Sequence, residues 1–241
     1  MKTSNKLLLA VGLIILACLV GYNFALKKVY TQGEFRSPYY GMHKLNLSNF
    51  KIVNNQAADF MGIQIKHDAK YQVWVRPDVE DMLKITSDGR TLSIKKSTLP
   101  KRDYYYDNSI IITCPDIDSV VAGGPAVKGT QEAIDNYDPY IRTKITGFVQ
   151  PHLGVRANFR TLILLDNNKL NRLNTLLGDD KAGRGLLTIT DNNKIGLADL
   201  NVKGKSVLTL YGQSVAKSIN HISDSASLML HAAPVKLFVQ P

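Results

Sequence analysis

Alternation of apolar and polar-facing positions dominates the last third of this chain. Leu187/Ile189, Leu208/Leu210 and Leu228/Leu230 each flank one residue that an extended backbone turns the other way, which predicts short strands with one buried side. The first residues of these pairs follow one another at spacings of 21 and 20. A longer phrase also recurs. TLILLDNNKLNRLNTLLG from Thr161 aligns with LLTITDNNKIGLADLNVKG from Leu186 and places Asp166-Asn167-Asn168-Lys169 over Asp191-Asn192-Asn193-Lys194, an offset of 25. Such a period belongs to a repeat architecture whose units bury their apolar side only by stacking. The units lack the ten-residue runs with 3 and 4 spacing that helical repeats need. Gly183, Gly185, Gly196, Gly204, Gly212 and Ser223-Asp224-Ser225 punctuate them with turn chemistry. The predicted fold class is all-β. It is a parallel β-helix, a solenoid of coils of about 20 residues with three short strands each, occupying residues 45–241. Leu187, Leu208 and Leu228 then form one internal ladder. Asn167 over Asn192 pairs side-chain amides at a corner, or the asparagines simply tolerate left-handed turns.

The middle of the chain carries the same alternation. Strands are predicted at 63–65, 71–75, 92–94 and 110–113, with a turn at Ser87-Asp88-Gly89-Arg90, a corner at Ala122-Gly123-Gly124-Pro125, and a short helical turn or loop over 78–84. Residues 131–158, with Asp138-Pro139 and Gln150-Pro151, fit the repeat poorly and read as an insertion or a distorted coil. In order, Phe60-x-x-Ile63-x-Ile65, Val73-x-Val75, Asp88-Gly89-x-x-Leu92-x-Ile94 and a strand ending Cys114-Pro115-x-Ile117-x-x-Val120 resemble the auto-transporter adhesin head domain, also called the GIN domain. The resemblance covers residues 45–239 and implies an exported β-helical domain of a kind found largely in Bacteroidetes. Members usually carry Ser-Gly-Ser-Gly at the coil corners; here Asp-Asn-Asn-Lys stands at two of those places and Ser223-Asp224-Ser225 at a third.

Residues 7–26 form a run of 20 without a charge, preceded by Lys2 and Lys6 and followed by Lys27-Lys28. A helix of that length spans about 30 Å, the thickness of the hydrocarbon layer. The expected organisation is a short cytoplasmic tail over 1–6, a transmembrane signal-anchor helix over 7–26, a tether over 27–44 and the β-helix domain over 45–241. The rivals are a cleaved secretory signal and a lipoprotein signal acylated at Cys18. Against the first, the run is longer than a signal's apolar core and lacks Ala-x-Ala. Against the second, Ile15-Leu16-Ala17-Cys18 departs from a lipobox at Leu16. The expected location is a bacterial inner membrane, single-pass, with the large domain in the periplasm.

Charge changes the picture modestly. Thirty Lys+Arg against 20 Asp+Glu give a net +10, which attracts anionic lipid, acidic polysaccharide or nucleic acid alike. No nucleic-acid-binding signature accompanies it, so no nucleic-acid partner is expected. Cys18 and Cys114 do not share a soluble core, and Cys114 reads as a small buried residue. His43, His67, His152, His221 and His231 show no metal-ligand spacing. Asp103 with Asp107, Asp116 with Asp118, and the loop Asp135, Tyr137, Asp138, Tyr140 are the acidic groupings, the last suited to sugar contact. Residues 178–185 lack the ending of a phosphate-binding loop and read as a corner. The sequence therefore nominates no catalytic, cofactor-binding or metal site.

Two readings of different classes follow. The first is a membrane-anchored cell-envelope protein presenting a non-enzymatic β-helix for adhesion, glycan binding or envelope assembly, with anionic glycan or other envelope proteins as partners. The alternative is a carbohydrate-active β-helix enzyme, a lyase or hydrolase with Asp and Arg or Lys converging on one face. A signalling partner in the envelope is a third possibility. The oligomeric state is left open.

Overall fold

The computed structural model of the chain describes residues 3–33, 36–97, 106–123, 142–159, 161–179 and 183–232. The chain divides into two compact units, Met1–Gly41 and Met42–Pro241. The first is built on one apolar helix, α1 (Thr3–Gln32). It is long and apolar enough to cross a membrane, and none of its apolar window is buried inside the protein. Helix continues past the apolar run into the lysines because residues 27–32 contain no breaker. It stops at Gly33, whose φ of 66° is the left-handed cap that glycine adopts without strain, with its N–H donating to the Val29 carbonyl at 3.2 Å.

The second unit is mostly β. Its described elements are β1 (His43–Leu45), β2 (Ile52–Asn55), β3 (Met61–His67), β4 (Gln72–Val75), the four-residue helix α2 (Pro77–Glu80), β5 (Leu83–Ser87), β6 (Thr91–Lys96), β7 (Tyr106–Cys114) and β8 (Ser119–Ala122). They continue with β9 (Arg142–Thr146), β10 (Val149–Ala157), β11 (Thr161–Asp166), β12 (Lys169–Leu177), β13 (Gly185–Ile189), β14 (Lys194–Val202), β15 (Val207–Tyr211), β16 (Val215–Ile222) and β17 (Ser227–His231). Two open sheets result. One has nine strands in the order β1-β4-β7-β3-β9-β11-β13-β15-β17, the other eight in the order β16-β14-β12-β10-β8-β2-β6-β5.

From β8 onward successive strands alternate between the two sheets, and from β10 onward each pairs in parallel with the strand two before it. The expected ladder is present: Leu187 stands opposite Leu208, and Leu208 opposite Leu228. The first two are fully buried and the third half-buried, at the last strand of its sheet. Two strands, not three, make each repeat. Yet the long strands break their period-two burial at Pro151-His152, Asn171-Arg172 and Ala216-Lys217, where consecutive residues are exposed. Gly196 sits at the same step, where a Cβ would stand 2.9 Å from the Asn171 carbonyl oxygen.

The amino-terminal part of this unit departs from the expected uniform coil. β1 with β4, β4 with β7, and β5 with β6 pair antiparallel, so both sheets are mixed. The cause is local for β5 and β6. Asp88 accepts hydrogen bonds from the Arg90 and Thr91 N–H groups at 2.9 and 2.6 Å, and Gly89 takes φ 85°, a tight reversal that permits only an antiparallel return. The order of stacking is also not the order of the sequence. β2 pairs in parallel with both β6 and β8, and β3 with both β7 and β9, so the first pair of strands lies between two later ones.

Residues 131–158, expected as an insertion or distorted coil, differ in part. From Arg142 to Ala157 they form β9 and β10 and join the parallel ladders, with Ile145, Phe148, Leu153 and Val155 buried, while 131–141 lie outside the described residues. Pro151, without an N–H, takes no register pairing and falls at the break in the burial pattern. A single apolar core fills the space between the sheets, from Phe50, Val53 and Phe60 through Ile110, Ile145 and Leu173 to Leu210 and Val215.

Candidate interaction surface

The corners that follow β11 and β13 are tied to each other through asparagines. The expected amide pairing exists, displaced by one residue. Asn168 and Asn193 point inward and are buried, and the Asn168 side-chain amide donates to the Asn193 Oδ1 at 3.0 Å. Asn193 Oδ1 also accepts from the Asn168 main-chain N–H at 3.0 Å, and Asn168 Oδ1 accepts from the Phe148 N–H at 3.1 Å. The second amide proton of each side chain reaches a carbonyl, Ile145 for Asn168 and Leu165 for Asn193. Asn167 instead takes the left-handed conformation, φ 55°, and turns the chain so that the next residue faces inward.

Outside the same corner, Asp166 accepts from Thr190 Oγ1 at 2.9 Å and Asn192 Nδ2 at 3.2 Å and pairs with Lys144 at 2.9 Å. Partial burial pushes its pKa up, but the bonds from Lys144, Asn192 and Thr190 together with the lysine's charge outweigh it and hold the carboxyl below its ordinary value.

The outer face of the eight-stranded sheet is where charge collects. The register puts Val149, Lys169 and Lys194 in one row and His152, Arg172, Leu197 and Lys217 in another, three residues further along. Arg156 follows further along β10, in register with Leu176, Asn201 and His221. Lys169, Lys194, Lys217 and Arg156 are exposed. Arg172 donates to Asn174 at 2.9 Å and pairs with Asp199 at 3.3 Å. Among the described residues no ion pair reaches the other four. The Lys169 over Lys194 match was visible in the repeat. Arg156 and Lys217 were not, because their place depends on pairing across the sheet.

The residues considered for chemistry do not converge among those described. Asp116 pairs with Lys51, Asp118 is exposed, and buried Ile117 separates them. Asp103, Tyr104, Tyr105, Asp135, Tyr137, Asp138 and Tyr140 lie outside the described residues, as do the side chains of Tyr106 and Asp107. His43 shares a 2.8 Å contact with Glu80, His67 meets Phe148 edge-on, and His231 stacks on Tyr211 with ring centroids 4.5 Å apart. His221 and His231 sit in different sheets. No group of three or more His, Cys, Asp or Glu suited to a metal ion occurs among the described residues. Cys114 is buried, and desolvation, aided by Asp116 against Lys51, pushes its thiol up to about 12, far from a nucleophile's range. At the 178–185 corner, Asp179 accepts from the Gly183 N–H at 2.8 Å, and 180–182 lie outside the described residues.

No protein-family model and no curated protein matches the sequence. Solved structures similar to it include the following three. A "putative adhesin" from Parabacteroides distasonis is 11% identical, with TM-score 0.45, over 79% of this chain and 71% of its own. A "putative adhesin" from Bacteroides fragilis is 12% identical, with TM-score 0.34, over 80% and 94%. A "putative lipid binding protein" from Parabacteroides distasonis is 12% identical, with TM-score 0.27, over 80% and 94%. Likeness at these levels assigns neither a family nor an activity to this chain.

Proposed function

We propose that the protein is a membrane-tethered component of the bacterial cell envelope, in which α1 stays uncleaved in the inner membrane and the β unit is displayed in the periplasm as a non-enzymatic interaction domain. The observation that carries this reading is α1 itself: apolar and unburied, it ends at Gly33 before a compact unit of a different fold class. A helix whose apolar run of about 30 Å buries nothing in its own protein finds its favourable environment in lipid. We further read the repeats from β8 onward as a parallel β-helix capped by the antiparallel strands, on the strength of the alternating sheet assignment and the ladders of Leu and Asn. Such a scaffold suits adhesion or envelope assembly because its flat outer rows are fixed by register, whatever side chains they carry.

The test is topology in a host with two membranes. The full chain should sediment with the inner membrane at its unprocessed mass. Its Lys194→Cys variant should react with a membrane-impermeant maleimide in intact spheroplasts. Release of the β unit into the soluble fraction, a mass shortened by the helix, or labelling only after lysis would overturn the reading.

A further inference from the structure

The outer face of the eight-stranded sheet carries cations that the fold leaves unneutralised. Lys169 and Lys194 stand opposite each other on neighbouring strands, about 4.8 Å apart at the backbone, where like charges oppose folding. Lys217 lies one strand further across and three residues further along, and Arg156 lies towards the far end of β10. None of the four has an ion-pair partner among the described residues, and Asp199, the acid on these strands, is taken by Arg172. We propose that this face of β10, β12, β14 and β16 binds an acidic polysaccharide, laid across the strands so that successive carboxylates meet Lys169, Lys194 and Lys217.

Charge complementarity selects a polyanion, and the residues between the cations select its class. Asn171, Asn174 and Asn201 interleave with the charges, offering amide donors and acceptors to sugar hydroxyls. A face built to enter a bilayer would carry large apolar side chains among its cations. Here two large apolar side chains of these strands stand well exposed, Val149 beside Lys169 and Ile219 on β16, too few to form an apolar face. The proposal rests on the display-domain reading, but binding is measured in solution. A failed topology experiment would therefore count against that reading alone, and failed binding against this one alone.

The experiment uses the full chain in detergent micelles with polygalacturonate as immobilised probe, at low and at physiological salt. Wild-type protein should bind and weaken with salt. The Lys169→Gln/Lys194→Gln/Lys217→Gln variant should bind roughly tenfold more weakly, with a shallower salt dependence. Replacing the same three lysines by arginine should restore binding. The Lys44→Gln/Lys70→Gln/Lys205→Gln variant, which removes equal charge from exposed positions outside the eight-stranded sheet, should bind as wild type. Absence of wild-type binding, equal weakening of both glutamine variants, or a preference for phosphatidylglycerol vesicles over polygalacturonate would overturn the proposal.

Discussion

Replacing Asn193 by alanine should be among the costliest small changes in the β unit. Its Oδ1 accepts from both the main-chain N–H and the side-chain amide of Asn168, and its Nδ2 donates to the Leu165 and Thr190 carbonyls at 2.8 and 2.9 Å. Without it, the Asn168 N–H remains fully buried with its acceptor gone, which costs about 1–3 kcal/mol. The lost bonds at the carbonyls and the space left behind bring the total to about 2–4 kcal/mol. For a domain of this size that lowers Tm by roughly 5–15 °C. Asn192→Ala is the matched control, since Asn192 is exposed and makes one 3.2 Å bond to Asp166, worth at most about 0.5 kcal/mol. Thermal and urea unfolding followed by far-UV circular dichroism would measure both. Equal losses, or a larger loss for Asn192→Ala, would refute the assignment of the inward amide.

Cys114 should resist maleimide at pH 8 in the folded protein and react once urea unfolds it; labelling at the rate of a free thiol would contradict its burial. Asp166 has a lowered pKa, so its contribution to stability is complete above its unfolded value near 3.8 and is lost as pH falls through the folded value. Asp166→Asn should accordingly reduce stability at neutral pH and flatten the acid limb of the Tm profile, and an unchanged profile would sink that assignment. Gly185→Ala should cost at least about 3 kcal/mol, because its Cβ would stand 2.8 Å from the Ala157 carbonyl carbon, against main chain that cannot swing aside. A variant that melts like wild type would show that the two segments are further apart.

Local pattern revealed much of this. The period of the Leu pairs gave strands, their inward side and the 187, 208, 228 ladder, because parallel stacking places equivalent positions opposite one another. The same repeat could not tell which asparagine of each pair turns inward, since both columns match; the φ of Asn167 settles it. Nor could it give the placement of β2 and β3 between later strands, which depends on contacts remote in sequence. The unpaired status of Arg156 and Lys217 was equally hidden, because it needs the register of three neighbouring strands. Helix length was underestimated where apolar character ended at Leu26, because a helix ends at a breaker rather than at the last apolar residue.

Every surface row invoked above depends on the strand register, and a disulfide scan tests it directly. Thr188 and Thr209 face outward in register on adjacent strands, and Met229 follows in the same row one strand further. The Thr188→Cys/Thr209→Cys variant should form an intramolecular disulfide under mild oxidation, its backbone spacing of about 4.8 Å lying within bonding range. The Thr188→Cys/Met229→Cys variant, at about twice that separation, should not. Cross-linking of the second pair in preference to the first would contradict the stacking on which the account is built.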